Sequence, residues 1–221
     1  VGNPAIPNVH ILFRDDFESG EDGWTHQAAI DLWHLTTTDP SPSSSDTIFI
    51  TDHTPTHAFR MASDPTRTNL NATYDMAGQI VQTWLASPAV NPQATSAINL
   101  FVTWKEYYET EAQQDVCIVE ASSDGLNWRL LRAGVSGTSS NWVQRTADMS
   151  EFIGFPNVRV RFFFQTGNTI NNAFRGWWVD DVMIYAGTRL RGYVRDVNGA
   201  PMKGAVVYAM GRGGVTNWVQ G

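Results

Sequence analysis

Cysteine is almost missing from this chain: Cys117 is the single one in 221 residues, so no internal disulfide can staple the fold. Its setting, DVCIVEASS, places apolar residues on both sides and no base beside the sulfur. That pattern reads as a small buried side chain, not a nucleophilic thiol. Lysine is equally scarce, with only Lys105 and Lys203, and the net charge is −7. Phosphate backbones are held by clustered Lys and Arg, so a nucleic-acid partner is not expected. No run of about 18 apolar residues occurs, which argues against membrane insertion by a helix. A nucleophile-elbow G-x-S-x-G, a Walker loop and a dinucleotide glycine motif are all lacking. The chain opens on Val1 without a signal-peptide pattern, which fits a processed product or an excised piece of a longer protein.

Aromatic residues, by contrast, are plentiful. Nine Trp and eleven Phe favour β structure around a heavily packed core. Period-two alternation supports this. AINLFVTWKEYY sets Ile98, Leu100, Val102 and Trp104 on one face, and NVRVRFFFQT does the same with Val158, Val160, Phe162 and Phe164. The opposite face of the latter carries Arg159, Arg161 and Phe163. DVCIVEASSDGLNWRLL reads as two strands joined at Asp124-Gly125, a strong hairpin signal. GWWVDDVMIYAG alternates Trp178, Asp180, Val182 and Ile184 against Trp177, Val179, Asp181, Met183 and Tyr185. Apolar side chains on both faces suit a central strand. Helical periodicity is confined to one turn at DMSEFIG, with Ser150 as cap and Gly154 as stop. Many short strands between Ser-, Pro- and Gly-rich turns predict an all-β sandwich.

Composition changes after Gly187. TRLRGYVRDVNGAPMKGAVVYAMG starts a new unit, with a turn at Asn198-Gly199 and Pro201 opening the return strand. A boundary near Thr188 divides the chain into residues 1–13 (an extended arm or first strand), 14–187 (the sandwich) and 188–221 (a partial β unit).

Five segments in order, DDFESGEDGW, WLASPAV, EASSDGLNWRLL, ADMSEFIGFPNVRVRFFF and GWWVDDVMIY, resemble the jelly-roll β-sandwich of the MAM-like and immune-inhibitor-A-like group over roughly residues 12–186. The tail, LRGYVRDVNGAPMKGAVVYAMG, is similar to the first strands of a carboxypeptidase-regulatory-like, transthyretin-like domain. The resemblance implies a non-catalytic, extracellular spacing or interaction role for both parts. It also implies that the acidic start and the VDD strand are neighbours, which brings Asp16, Glu18 and Asp181 together as oxygen ligands for a structural Ca²⁺. The competing reading has Asp180 and Asp181 accept hydrogen bonds from loop amides or pair with Arg14 or Arg175.

Jelly-roll modules of this kind often stack sugar rings on indoles, so Trp33, Trp142 and Trp177 (with Trp218) are candidates for an aromatic platform, against the ordinary reading that they fill the core. His53 and His57 have zinc-pair spacing, but Pro55 between them and the absence of a third ligand favour strand-end histidines. Asn71-Ala72-Thr73 matches a glycosylation acceptor. The regulatory-like tail has too few strands for a complete sandwich, and two or three strands alone are marginal.

One solution is strand exchange between copies. Val9, Ile11 and Phe13 alternate as a donor strand would, and Val194, Val206 and Tyr208 supply the acceptor side. The sequence is therefore read as an extracellular structural or adhesive protein without catalytic function, self-associating by strand complementation into a filament. The alternative is an accessory module that holds a secreted hydrolase to glycan or protein.

Overall fold

A computed structural model describes residues 9–26, 30–38, 54, 56–95, 97–187 and 198–200, and the backbone of two further strands, Val206–Met210 and Thr216–Gln220. In chain order the strands are β1 (His10–Asp15), β2 (Thr25–His26), β3 (Trp33–Thr36), β4 (Ala58–Met61), β5 (Gln82–Ala86), β6 (Asn99–Glu109), β7 (Val116–Ser122), β8 (Arg129–Val135), β9 (Val143–Asp148), β10 (Arg159–Gln165), β11 (Gly176–Gly187), β12 (Val206–Met210) and β13 (Thr216–Gln220). One antiparallel sheet runs β3-β4-β11-β6-β9, with β1 also paired to β11; the other runs β2-β5-β10-β7-β8. From β4 onward the chain crosses repeatedly between the two sheets, which gives a β-sandwich of the jelly-roll kind. The hairpin β12-β13 pairs Val206 with Gln220 and Tyr208 with Trp218.

The predicted alternation places the core. Leu100, Val102 and Trp104 of β6 and Val158, Val160, Phe162 and Phe164 on and just before β10 are fully buried. Ile98, predicted to join the β6 row, lies before the strand and is exposed. Phe162 is the hub between the sheets, meeting Trp24, Trp104 and Trp177 at 6.1, 5.9 and 5.6 Å between ring centroids. Such tilted and edge-on pairs each contribute roughly 0.5–1.5 kcal/mol beyond area burial. Cys117 is buried in the same core, and burial pushes its thiol well up, as expected of an inert residue. The Asp124-Gly125 turn forms as predicted, with Gly125 at φ +75 and the Asp124 carboxylate accepting from the Leu126 and Asn127 amides. The turn at DMSEFIG is a short 3₁₀ segment, Ser150–Phe152, preceded by Met149.

Two expectations are corrected here. The strict alternation assigned to GWWVDDVMIYAG breaks at the two aspartates. Asp180 lies opposite Lys105 and Met183 opposite Thr103, so β11 spends one extra residue there and Asp181 takes φ +49. This β-bulge flips the parity: Trp177 and Val179 before it, and Val182, Ile184 and Ala186 after it, all face the core. The second correction concerns the N-terminal strand. It is not held out as a donor but paired within its own chain, with Ile11 opposite Tyr185 and Phe13 opposite Ile184. Phe13 packs on the core, edge-on to Trp24 at 5.8 Å, while Val9 and Ile11 remain over half exposed. Val194 lies outside the described residues, as do the side chains of Val206, Tyr208 and Trp218.

Candidate functional site

Asp16, Glu18 and Asp181 do not form a joint cation site. Glu18 accepts from the His57 amide at 2.9 Å and from the Thr56 hydroxyl, with the His57 Nδ1 at 3.3 Å. Burial, the largest single influence on Glu18, raises its pKa, but the combined hydrogen bonds from Thr56 and His57 hold it below the ordinary value. Asp181 accepts from Thr54 through the backbone amide at 3.0 Å and the hydroxyl, and the Lys105 ammonium lies 3.2 Å away. A positive side chain therefore already stands against this carboxylate. Asp16 accepts from the Glu18 amide at 3.4 Å. Among the described residues, no three His, Cys, Asp or Glu side chains are grouped to hold a metal ion. The two acids thus grip one segment, Thr54–His57, from the β1–β2 turn on one side and the bulge of β11 on the other. Of the two histidines with zinc-pair spacing, His57 serves this grip and His53 lies outside the described residues.

The tryptophans proposed as a platform are covered by protein. Trp33 is 2% exposed and Trp177 fully buried, packed together at 5.5 Å between centroids inside the sandwich. Trp142, 9% exposed, belongs to a second apolar cluster with Ala58, Tyr107 and Trp178 on the other side of the β3-β4-β11-β6-β9 sheet. Their indole faces are occupied by protein, so none offers a surface for a sugar ring.

Beside that cluster, Glu109 is clamped by Arg175, whose Nε donates at 2.6 Å to Oε2 and whose second nitrogen reaches Oε1, while the Tyr107 hydroxyl donates at 3.0 Å. The Arg175 hydrogen bonds hold the Glu109 carboxyl below its ordinary value of 4.5. A depressed carboxylate stabilises the fold above its unfolded pKa, and that contribution disappears as pH falls through the folded one. Glu109→Gln is therefore expected to lower stability at neutral pH and to narrow the gap between urea midpoints at about pH 6 and about pH 3. An unchanged gap would show that the clamp is not coupled to folding.

Partly exposed aromatic side chains occur on both sheets: Phe101 of β6 stacks on Tyr185 of β11 at 5.5 Å, and a larger group, with polar side chains at its edges, stands on the outward face of the other sheet. On β10, Phe162 and Phe164 point inward, so Arg159, Arg161, Phe163 and Gln165 point outward, all partly exposed. Phe163 is directly opposite Trp84 of β5 on one side and Ile118 of β7 on the other. Both neighbours are half-buried and on the same face. One step along the strands, Arg161 lies opposite Glu120 and donates to it at 2.6 Å. Its guanidinium also stacks over the Trp128 ring at 4.3 Å and lies 5.1 Å from the Phe163 ring. One step the other way, the Gln82 amide donates to the Gln165 carbonyl at 3.2 Å. The result is a band of Trp84, Phe163 and Ile118 across three strands, flanked by an amide pair on one side and a stacked ion pair on the other. A cation held between rings is worth about 0.5–1 kcal/mol where exposed, and here it also fixes the ring orientations.

Sequence reasoning had half of this. Arg159, Arg161 and Phe163 fall together on the outward side of β10. The signal for Trp84 is inverted, because Thr83 and Leu85 are fully buried and the larger indole between them points out.

No family model matches the chain, and no curated protein matches it by sequence. Among solved structures it is similar to the K1 adhesin domain of Lys-gingipain from Porphyromonas gingivalis W83, at 15% identity over 84% of this chain and 99% of that one, with a TM-score of 0.48. It is also similar to the carbohydrate-binding module TmCBM61, solved with β-1,4-galactotriose, at 15% identity over 77% and 94% of the two chains and a TM-score of 0.47. A third is the CBM22-1 xylan-binding domain of Paenibacillus barcinonensis Xyn10C, at 12% identity over 81% and 96%, with a TM-score of 0.42. All three fall below 0.5 in TM-score, so no ligand passes from them to this chain. No helix among the described residues is long and apolar enough to cross a membrane.

Proposed function

We propose that this chain is a non-catalytic, extracellular binding module that engages carbohydrate through the outward face of β5, β10 and β7. The observation that carries the reading is the partly exposed pair Trp84 and Phe163, directly opposite each other on neighbouring strands and flanked by Gln, Arg and Glu side chains. A pyranose ring has one apolar face made of C–H groups and a rim of hydroxyls. An indole and a phenyl ring side by side cover the first, and amide or charged groups at their edges bond the second. A rigid sheet holds these groups in place, so little ordering is lost on binding. Strand exchange, the other function read from the sequence, is less favoured by β1, which pairs with β11 of its own chain.

The test is affinity electrophoresis of the purified chain through gels containing single soluble polysaccharides. Wild type should be retarded by at least one of them. Trp84→Ala with Phe163→Ala should lose retardation by tenfold or more in affinity while melting close to wild type, since both side chains stand on the outer face. Equal retardation of the double variant would reject the face, and a chain retarded by no glycan would reject the reading.

A further inference from the structure

The arrangement of the face also limits which carbohydrate it fits, an inference that rests on the proposed carbohydrate-binding reading. Trp84, Phe163 and Ile118 are in direct register on three consecutive strands. Adjacent strands lie about 4.8 Å apart, so the apolar band runs straight across them for roughly 10 Å. A chain resting on that band must present apolar ring faces repeatedly in one line. Equatorially linked pyranoses do this, because both linkage bonds leave each ring near its mean plane and the chain extends as a ribbon. Axially linked chains coil and turn successive rings away from a common plane.

Charge narrows the class further. The cation nearest the band, Arg161, is committed: Glu120 holds it at 2.6 Å and the Trp128 ring covers it at 4.3 Å. Arg159, one step farther along β10, donates to the Ser87 carbonyl at 3.1 Å. The charge of Arg161, the cation beside the band, is thus met by Glu120, while Arg159, farther off, keeps donors beyond its bond to Ser87; a ligand carboxylate or sulfate resting on the band itself would meet no unbalanced cation there. On the other flank the Gln82–Gln165 bond uses one donor of Gln82 and the carbonyl of Gln165, leaving the Gln82 carbonyl and the Gln165 amino group outside that bond. A carbonyl and an amino group side by side suit neutral hydroxyls, which both donate and accept.

We infer that the ligand is a neutral, unbranched polysaccharide of equatorially linked pyranoses, laid across the strands over Trp84 and Phe163 and read along one edge by Gln82 and Gln165.

Isothermal titration with four soluble probes tests this: hydroxyethyl cellulose and glucomannan as neutral equatorially linked chains, soluble starch as an axially linked chain, and polygalacturonate as an acidic one. The inference expects at least tenfold tighter binding of one of the first two than of starch or polygalacturonate, with little change between low and high salt. Gln82→Ala with Gln165→Ala should weaken that binding about tenfold, a loss of about 1.4 kcal/mol, without moving the melting temperature. Preference for starch or polygalacturonate, or affinity that falls steeply with salt, would overturn the ligand class and leave carbohydrate binding standing. Binding of none of the four, nor of any glycan in the gels, would overturn both.

Discussion

Replacing Gly176 by alanine is expected to lower the melting temperature by roughly 6–15 °C. Gly176 opens β11 at φ +99, a backbone region that L side chains rarely enter, and it is buried between β4 and β6. It lies opposite Glu109 of β6, and the next residue, Trp177, lies opposite Met61 of β4. A Cβ built at Gly176 would run into the Met61 carbonyl oxygen, with the Met61 methyl at 3.6 Å as well. A side chain can rotate away, but this oxygen belongs to the backbone of a paired strand. Alanine at positive φ costs about 1–2 kcal/mol, and forcing an extra carbon into packed surroundings about 1–3 kcal/mol more. For a chain of this length each kcal/mol moves the midpoint by about 2–4 °C. Gly20→Ala is the control: Gly20 also has positive φ, +120, but a Cβ there meets nothing within 4 Å. That variant should show the conformational cost alone. If Gly176→Ala melts no lower than Gly20→Ala, the close approach to Met61 has no energetic consequence.

What this strand shows about legibility applies across the molecule. The sequence marks it as central and apolar on both faces, and the structure agrees. The sequence does not mark the bulge, because nothing in the letters WVDDVMI shows that β6 advances two residues while β11 advances three. From that step on, a period-two reading puts Asp180 with Val182 and Ile184, when the core takes Trp177, Val179, Val182 and Ile184. The tryptophans fail for a related reason. Side-chain type says that an indole is large and mostly apolar, not which sheet face it stands on. Trp33 and Trp177 were candidates for the surface and lie inside, whereas Trp84 stood only in WLASPAV, one of the segments that carries the resemblance, and faces outward. Only the register with Phe163 and Ile118 turns Trp84 into part of a band. Phe163 was the legible member, an aromatic residue on the arginine side of an otherwise clean alternation. The acidic pair illustrates the remaining gap. Its carboxylates were readable as anchors, but their partners, Thr54 and Lys105 for Asp181 and Thr56 and His57 for Glu18, come from segments far apart in the chain.

Arg60→Ala should destabilise the protein by about 3 kcal/mol or more, and the reason lies in what a buried guanidinium can bond. Within AFRM every residue of β4 is buried, and Arg60 is fully so. Its Nη1 donates to the Asn69 carbonyl at 2.7 Å, its Nη2 to those of Leu70, Ala72 and Arg175 at 3.1, 2.6 and 3.0 Å, and its Nε to Arg175 at 3.2 Å. The plane stacks on Trp178 at 4.4 Å, and Asp64 lies 3.8 Å from Nη1. Desolvation pulls the pKa down to about 10, which leaves the side chain charged at neutral pH. Five hydrogen bonds from one plane thus fasten the loop after β4, residues 62–73, to the segment entering β11. Alanine would strand four carbonyl oxygens and open a cavity under Trp178. Methionine would fill much of the cavity and still strand the oxygens, so Arg60→Met separates the two effects. Lysine keeps the charge but has three donors on a point centre, too few and wrongly directed for four carbonyls. The expected order of stability is wild type, then Lys, then Met and Ala, with the loop becoming open to protease in the last two before global unfolding. A methionine variant as stable as wild type, with the loop still protected, would mean that the carbonyls find water or other donors without cost, and that Arg60 serves β4 by its bulk alone.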